Sequence, residues 1–163
     1  MEFFLQADYG ERFFGWISYA LSRSERLDPF THVWSLYQYD QTNILSLVGS
    51  YKFTPAWGVG AKLHYNSGPL VESLLGRYKD SSGNWHGVFS PTYNERLADY
   101  MRLDLRTDYT FKFEGWNLYV YLEIINFFNS PNPQDIGYNE DYSQTMTIDN
   151  LPRIPYLGIG AEF

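Results

Sequence analysis

The stretch Met101–Phe113, MRLDLRTDYTFKF, decides how this chain is read. Its odd positions, Met101, Leu103, Leu105, Thr107, Tyr109, Phe111 and Phe113, are apolar or aromatic apart from one threonine. Its even positions, Arg102, Asp104, Arg106, Asp108, Thr110 and Lys112, are charged or polar. Alternation of period two is the signature of a β-strand. The stretch also covers the roughly 9–11 residues that a tilted strand needs to cross a bilayer. One face suits hydrocarbon, with aromatics gathered at one end; the other is too charged for a dry core and suits a wet interior. A strand of a soluble sandwich also alternates, so the rest of the chain must decide.

The design repeats. Trp116–Ile125 sets Trp116, Leu118, Val120, Leu122 and Ile124 against Asn117, Tyr119, Tyr121 and Glu123. Asn43–Phe53 sets Leu45, Leu47, Gly49, Tyr51 and Phe53 against Ser46, Ser50 and Lys52, with Ile44 and Val48 blurring the second face. Trp57–Asn66 opposes Trp57, Val59, Ala61, Leu63 and Tyr65 to Gly58, Gly60, Lys62, His64 and Asn66. Phe13–Ser24 is weaker, with Ile17, Tyr19 and Leu21 facing away from Ser18, Ala20 and Ser22. Glu2–Ala7 and Tyr156–Phe163 bring the expected strands to seven.

The connections alternate between short and long. Asp8–Arg12, Thr54–Ala56 and Glu114–Gly115 are tight turns carrying Gly or Pro. Glu25–Thr42, Ser67–Tyr100 and Phe127–Pro155 are long, largely polar and rich in Pro, Gly, Asn and Ser. Three structureless loops of that length argue against an ordinary compact domain. They are expected of an outer-membrane barrel, which has short periplasmic turns and long extracellular loops. An eighth strand within Ser67–Tyr100, over Leu70–Tyr78, would restore even parity, but Gly76 and its polar flanks favour a large loop extension instead.

Composition agrees. Fifteen tyrosines, twelve phenylalanines and five tryptophans are many for 163 residues, and Tyr51, Phe53, Trp57, Tyr109, Phe111, Phe113 and Trp116 neighbour the short turns. That is where an interfacial aromatic girdle would lie. Mean hydropathy is negative, as half-polar strands allow, and no apolar run reaches the roughly 18 residues of a transmembrane helix. A net charge of −7 argues against nucleic acid as a partner. Without cysteine there is neither a disulfide framework nor a thiolate metal site. Met1-Glu2-Phe3-Phe4 has no basic n-region and no cleavage site follows, so the chain reads as mature, trimmed or part of something larger.

Candidate chemistry is sparse. His32, His64 and His86 lack ligand-like spacing, so neither a metal nor another cofactor is expected. No nucleophile–base pair, phosphate loop or zinc-hydrolase motif is present, and the chain is not read as an enzyme. Arg102, Asp104, Arg106 and Glu123 converge on the polar face. They form either a lumen wall contacting plug or cargo or cross-strand charge pairs, and pairing is favoured. The loop aromatics Trp34, Tyr37, Tyr39, Trp85, Phe89 and Tyr93 have two readings, stacking on a ligand at the extracellular mouth or packing loop on loop. Trp34, Tyr37, Trp85 and Tyr93 are the candidate ligand contacts.

The last octet, Tyr156-Leu157-Gly158-Ile159-Gly160-Ala161-Glu162-Phe163, resembles the C-terminal β-signal read by the barrel-assembly machinery, with Tyr156, Gly158, Ala161 and Phe163 at the signal positions. Ala161 is smaller than the pattern's usual hydrophobic residue. Longer stretches resemble TonB-dependent outer-membrane receptors. GWISYALSRS, from Gly15 to Ser24, is similar to a strand from the second half of such barrels. NERLADYMRLDLR, from Asn94 to Arg106, is similar to the opening of their third-last strand. YLEIINFFN, from Tyr121 to Asn129, resembles their penultimate strand and its Asn-rich loop, and Leu151-Pro152-Arg153-Ile154-Pro155 leads into the last.

That resemblance implies a bacterial outer-membrane protein: a 22-stranded barrel around an N-terminal plug, importing siderophores, cobalamin, glycans or similar cargo with energy from TonB. Only the last seven strands match. Residues 1–163 are therefore expected to be the C-terminal portion of such a barrel, with no plug and no TonB box, and not competent for uptake alone. The implied partners are outer-membrane lipid, the assembly machinery, the remaining strands and plug of the same receptor, and TonB through the missing part. Seven antiparallel strands leave the first and last parallel, so self-closure is not expected. The alternatives are a small autonomous outer-membrane barrel, structural or pore-forming, and, ranked last, a soluble ligand-binding β-barrel.

Overall fold

The computed structural model describes residues 1–163 and contains only strands, turns and loops. In chain order the strands are β1 (Glu2–Tyr9), β2 (Phe13–Leu21), β3 (Glu25–Leu27), β4 (Trp34–Leu36), β5 (Asn43–Lys52), β6 (Trp57–Asn66), β7 (Leu70–Val71) and β8 (Leu74–Lys79). They continue with β9 (Trp85–Phe89), β10 (Glu95–Arg96), β11 (Tyr100–Phe113), β12 (Trp116–Ile125), β13 (Pro133–Tyr138), β14 (Thr145–Asp149) and β15 (Ile154–Glu162). Seven make one antiparallel meander in the order β1-β2-β5-β6-β11-β12-β15. These are the seven strands expected from the alternation, two with the expected ends and none with an end shifted by more than three residues. The sheet does not close, because β1 and β15 each pair with a single neighbour.

The long connections are not structureless. The remaining eight strands lie inside them as four two-stranded ladders, β3–β4, β7–β10, β8–β9 and β13–β14. The doubtful segment Leu70–Tyr78 does contain strand, but it pairs locally with β10 and β9 and adds nothing to the main sheet. Short, locally paired ladders satisfy loop backbone without lengthening the sheet. At the other end the reversals are tight. Gly10 and Gly115 take φ of +58° and +83°, a left-handed conformation that side chains oppose. At the third turn the Thr54 hydroxyl accepts the N–H groups of Ala56 and Trp57.

Strand register carries each apolar set onto the next. Leu5, Ile17, Leu47, Leu63 and Leu103 lie in one row, and Tyr109, Val120 and Ile159 in another, so one face is apolar across all seven strands. No protein layer covers it: Leu5, Leu122, Leu157 and Ile159 are all exposed. Toward the tight turns the same face ends in aromatics in mutual contact. Phe53 stacks on Trp57 at 4.5 Å, Phe113 on Trp116 at 4.5 Å, and Trp116 on Phe163 at 6.0 Å.

Burial is inverted relative to a water-soluble domain. The only buried hydrophobic side chains are Leu70 and Val71, whereas Asp40, Asn66, Ser67, Ser90, Asp104, Asn126 and Asn132 are buried and polar. All of them lie at or near the long-loop end. Backbone ladders, which account for 65 of the 87 main-chain hydrogen bonds, therefore hold the sheet. A polar network holds its loop end.

Candidate functional site

Two regions gather chemistry: the polar face of β6, β11 and β12, and the loop assembly above it. On the polar face, Arg102 forks onto Asp104, with Nε at 2.8 and 3.0 Å from the two carboxylate oxygens and an Nη at 2.7 Å. Asp104 also accepts the Asn126 backbone N–H at 3.0 Å and stands across from Lys62 in register. Further along the same strand, Arg106 lies 3.5 Å from Glu123 of β12 and 3.9 Å from the ring centroid of Tyr121. All four expected polar-face residues share one face, and they form two opposite-charge pairs. Ser46 and His64, which the alternation places on the same face, also meet there, Oγ to Nδ1 at 2.9 Å.

The loop end is organised by carboxylates and asparagines. Asp40, on the connection after β4, receives the Ser24 N–H at 2.6 Å, the Thr42 hydroxyl at 3.0 Å and an Arg96 Nη at 2.6 Å. Arg96 also donates to the carbonyls of Asp40 and Gly68. Burial pushes the Asp40 carboxyl up, but the Ser24 N–H, Arg96 and Thr42 outweigh it and hold the group below its ordinary value. Asn126, fully buried with φ +52°, donates to the carbonyls of Ser130 and Leu151 and accepts the Ser130 N–H. Asn126→Ala removes all three bonds and keeps the strained backbone; about 2–4 kcal/mol of loop stability should be lost. Loss of amide protection at Ser130 in hydrogen exchange is the check.

The β8–β9 and β13–β14 hairpins lean on each other. Arg77 donates to the Asp141 carboxylate at 2.8 Å and its carbonyl at 2.6 Å, and Phe89 meets Tyr138 edge-on at 5.4 Å. Asp141, bonded by Ser143 and Arg77, lies below its ordinary carboxyl value. The Asp80 carboxyl is held well below its own by His86 and by the Asn84 and Ser82 N–H groups. Between these hairpins, β7 and the residues before Asp40 is a cleft of about 420 Å³. It is lined by Gln38, Tyr39, Leu70, Glu72, Phe89 and Tyr93, with Gln134, Asp135 and Tyr138 opposite.

The expected ligand aromatics divide accordingly. Tyr93 lines the cleft, as do Tyr39 and Phe89 of the wider loop set. Trp34 is exposed on β4, Tyr37 lies under the Arg26 guanidinium at 3.6 Å, and Trp85 packs beneath Arg77 and Lys79. Tyr138, Gln134 and Asp135 do not stand out in the sequence. Their signal, an aromatic and polar side chains on one small hairpin, becomes readable only once β13 and β14 are placed beside β9.

The C-terminal set spreads over both faces. Tyr156 and Gly158 lie on the polar face, paired with Glu123 and Tyr121; Ala161 lies on the apolar face opposite Leu118, and Phe163 continues that face beyond β15. A Cβ on Gly158 would overlap the Tyr121 ring, and one on Gly160 the Tyr119 ring. The two glycines therefore give the tyrosines of β12 a surface on which to lie flat. Gly158→Val should cost about 1–3 kcal/mol through overpacking, and adding Tyr121→Ala should return part of that loss. Urea midpoints of the two variants and the double variant test the coupling.

No family profile, curated protein or solved structure matches this chain.

Proposed function

We propose that this chain is the C-terminal wall segment of a TonB-dependent outer-membrane receptor, working only together with further strands that continue its two edges. The observation that carries the reading is the inverted sheet: seven antiparallel strands with a continuous, uncovered apolar face and charge pairs opposite. Lipid covers such a face without a second protein layer. The aromatics at the tight-turn end match an interfacial girdle, and the hairpin-bearing long connections match the extracellular side.

The open edges support a longer wall over an autonomous barrel. β1 and β15 run in the same direction, so these strands cannot complete an antiparallel ring by themselves. In hydrocarbon each unpaired edge group costs several kcal/mol to order of magnitude, which favours strand addition at both ends. The polar face offers a second indication. Phe4 and Trp16, 6.1 Å apart, share it with Ile44 and Val48 over β1, β2 and β5. A water-filled pore gains nothing from apolar groups there, whereas a folded plug would bury them.

Denaturing mass analysis of the outer-membrane fraction tests the proposal. Peptides of this chain are expected in a species several times larger than 19.1 kDa. A heat-modifiable monomer near 19.1 kDa would favour the autonomous barrel, and absence from the membrane fraction would overturn the reading.

A further inference from the structure

We infer that the loop cleft between β7, β9 and the β13–β14 hairpin binds a neutral oligosaccharide. The inference rests on the receptor reading for access from outside the cell, and on the cleft's own chemistry for its ligand. At about 420 Å³ the cleft falls within the roughly 300–1,000 Å³ of small-molecule sites. Its walls combine the two kinds of group that pyranose rings require.

The first is aromatic surface. Tyr39, Phe89, Tyr93 and Tyr138 border the cleft, and among them only Phe89 and Tyr138 are in ring contact. Rings that border one open cleft without converging on a point leave separate surfaces for the C–H faces of a sugar chain. A quaternary ammonium needs the opposite arrangement, rings converging within about 6 Å of one point charge.

The second is uncommitted polar groups. Gln38, Glu72 and Gln134 make no side-chain hydrogen bond within the chain, and Asp135 uses one oxygen on the Ile136 N–H at 2.8 Å. Two carboxamides and two carboxylates can each engage neighbouring hydroxyls, the amides as donor and acceptor together. Tyr138 adds a phenolic hydroxyl, which can both donate and accept.

Charge selects against the other small-molecule class. No Lys or Arg lines the cleft, and two carboxylates do. An anionic ligand, such as a carboxylate- or catecholate-chelated ferric ion, would enter against like charge with no cation to receive it. Neutral hydroxyl-rich ligands suffer no such repulsion.

The test is binding by the species extracted from the outer membrane in mild detergent, applied to an array of neutral glycans, with tetramethylammonium and ferric citrate as charged probes. Saturable binding of a neutral glycan is expected, with no competition from ferric citrate. Tyr93→Ala should weaken it roughly tenfold or more. Gln134→Ala, a truncation of an exposed side chain that bonds nothing in the fold, should weaken it severalfold with an unchanged circular dichroism spectrum. The proposal is overturned if no neutral glycan binds, if either charged probe displaces the glycan, or if both variants bind like the parent. If the chain is absent from the outer membrane, the receptor reading fails, and the same titration on refolded chain in detergent decides the cleft by itself.

Discussion

If the proposed receptor reading holds, Val120→Arg is expected to destabilise the assembled wall by about 2–4 kcal/mol, the cost of a cation near the midplane on a lipid-facing strand position. Val120 lies in the middle of β12, flanked in register by Tyr109 and Ile159, with Leu118 and Leu122 on the same face. No charged side chain of a neighbouring strand pairs with it directly. A guanidinium there must snorkel several residues to reach the interface or draw water into hydrocarbon. Ser50→Arg on the opposite face provides the comparison. Ser50 pairs with Phe14 and Gly60, is exposed, and lies where the sheet already carries Arg106 two strands away. Its replacement should change stability by no more than about 0.5 kcal/mol. Urea titration of the detergent- or bilayer-inserted protein, read by the gel shift of the folded band, measures both. Equal losses for the two variants would mean that the apolar face does not meet lipid.

The same face is legible in the sequence because β6, β11 and β12 hold period two over 10, 14 and 10 residues, enough for alternation to outweigh the blurring in β2 and β5. Each tight reversal also carries Gly or a Thr-Pro pair. The expected Phe13–Ser24 strand ends early, at Leu21, for a physical reason. Ser22 still donates its N–H to the Thr42 carbonyl at 3.0 Å, but the Ser24 N–H turns to the Asp40 carboxylate, so the ladder goes no further. Register also resolves what alternation blurs: Trp16 pairs with Val48 and so belongs to the otherwise polar face.

The loops are illegible because their strands are short and irregular. β3 and β4 have three residues each, too few for a period to declare itself. The β8–β9 and β13–β14 ladders shift register at Leu74/Gly76 and Pro133/Asp135, which scrambles alternation where it would otherwise show. The cross-strand pair Arg106–Glu123 follows from placing β11 beside β12, whereas Arg102 pairs within its own strand with Asp104, and pairs set over longer separations leave no local pattern. Asp40 and Arg96 lie 56 positions apart in sequence, and no local pattern links them.

That pair supports the second large effect. Asp40→Ala should loosen the loop assembly by about 2–4 kcal/mol, below the full cost of breaking a buried ion pair because Arg96 keeps about a quarter of its side chain exposed. The Asp40 side chain is fully buried, so its removal strips partners from the Ser24 N–H, the Thr42 hydroxyl and Arg96 together. Hydrogen exchange at Ser24 and proteolysis within Glu25–Thr42 should both accelerate at neutral pH. The sign of the pH dependence follows from the depressed carboxyl. Stability from Asp40 is complete above its ordinary value of 3.8 and is lost as pH falls through the lower folded value. Parent protection at Ser24 should therefore be flat from about pH 5 to 8 and collapse in stronger acid, while Asp40→Asn should show no such transition. Replacing both partners, Asp40→Leu with Arg96→Met, separates ion-pair loss from the penalty of a stranded charge. The double variant should recover much of what Asp40→Ala loses, since an apolar pair of similar volume avoids leaving Arg96 uncompensated. No recovery would place the hub's importance in the backbone bonds to Ser24 and Gly68 rather than in the pairing of charges.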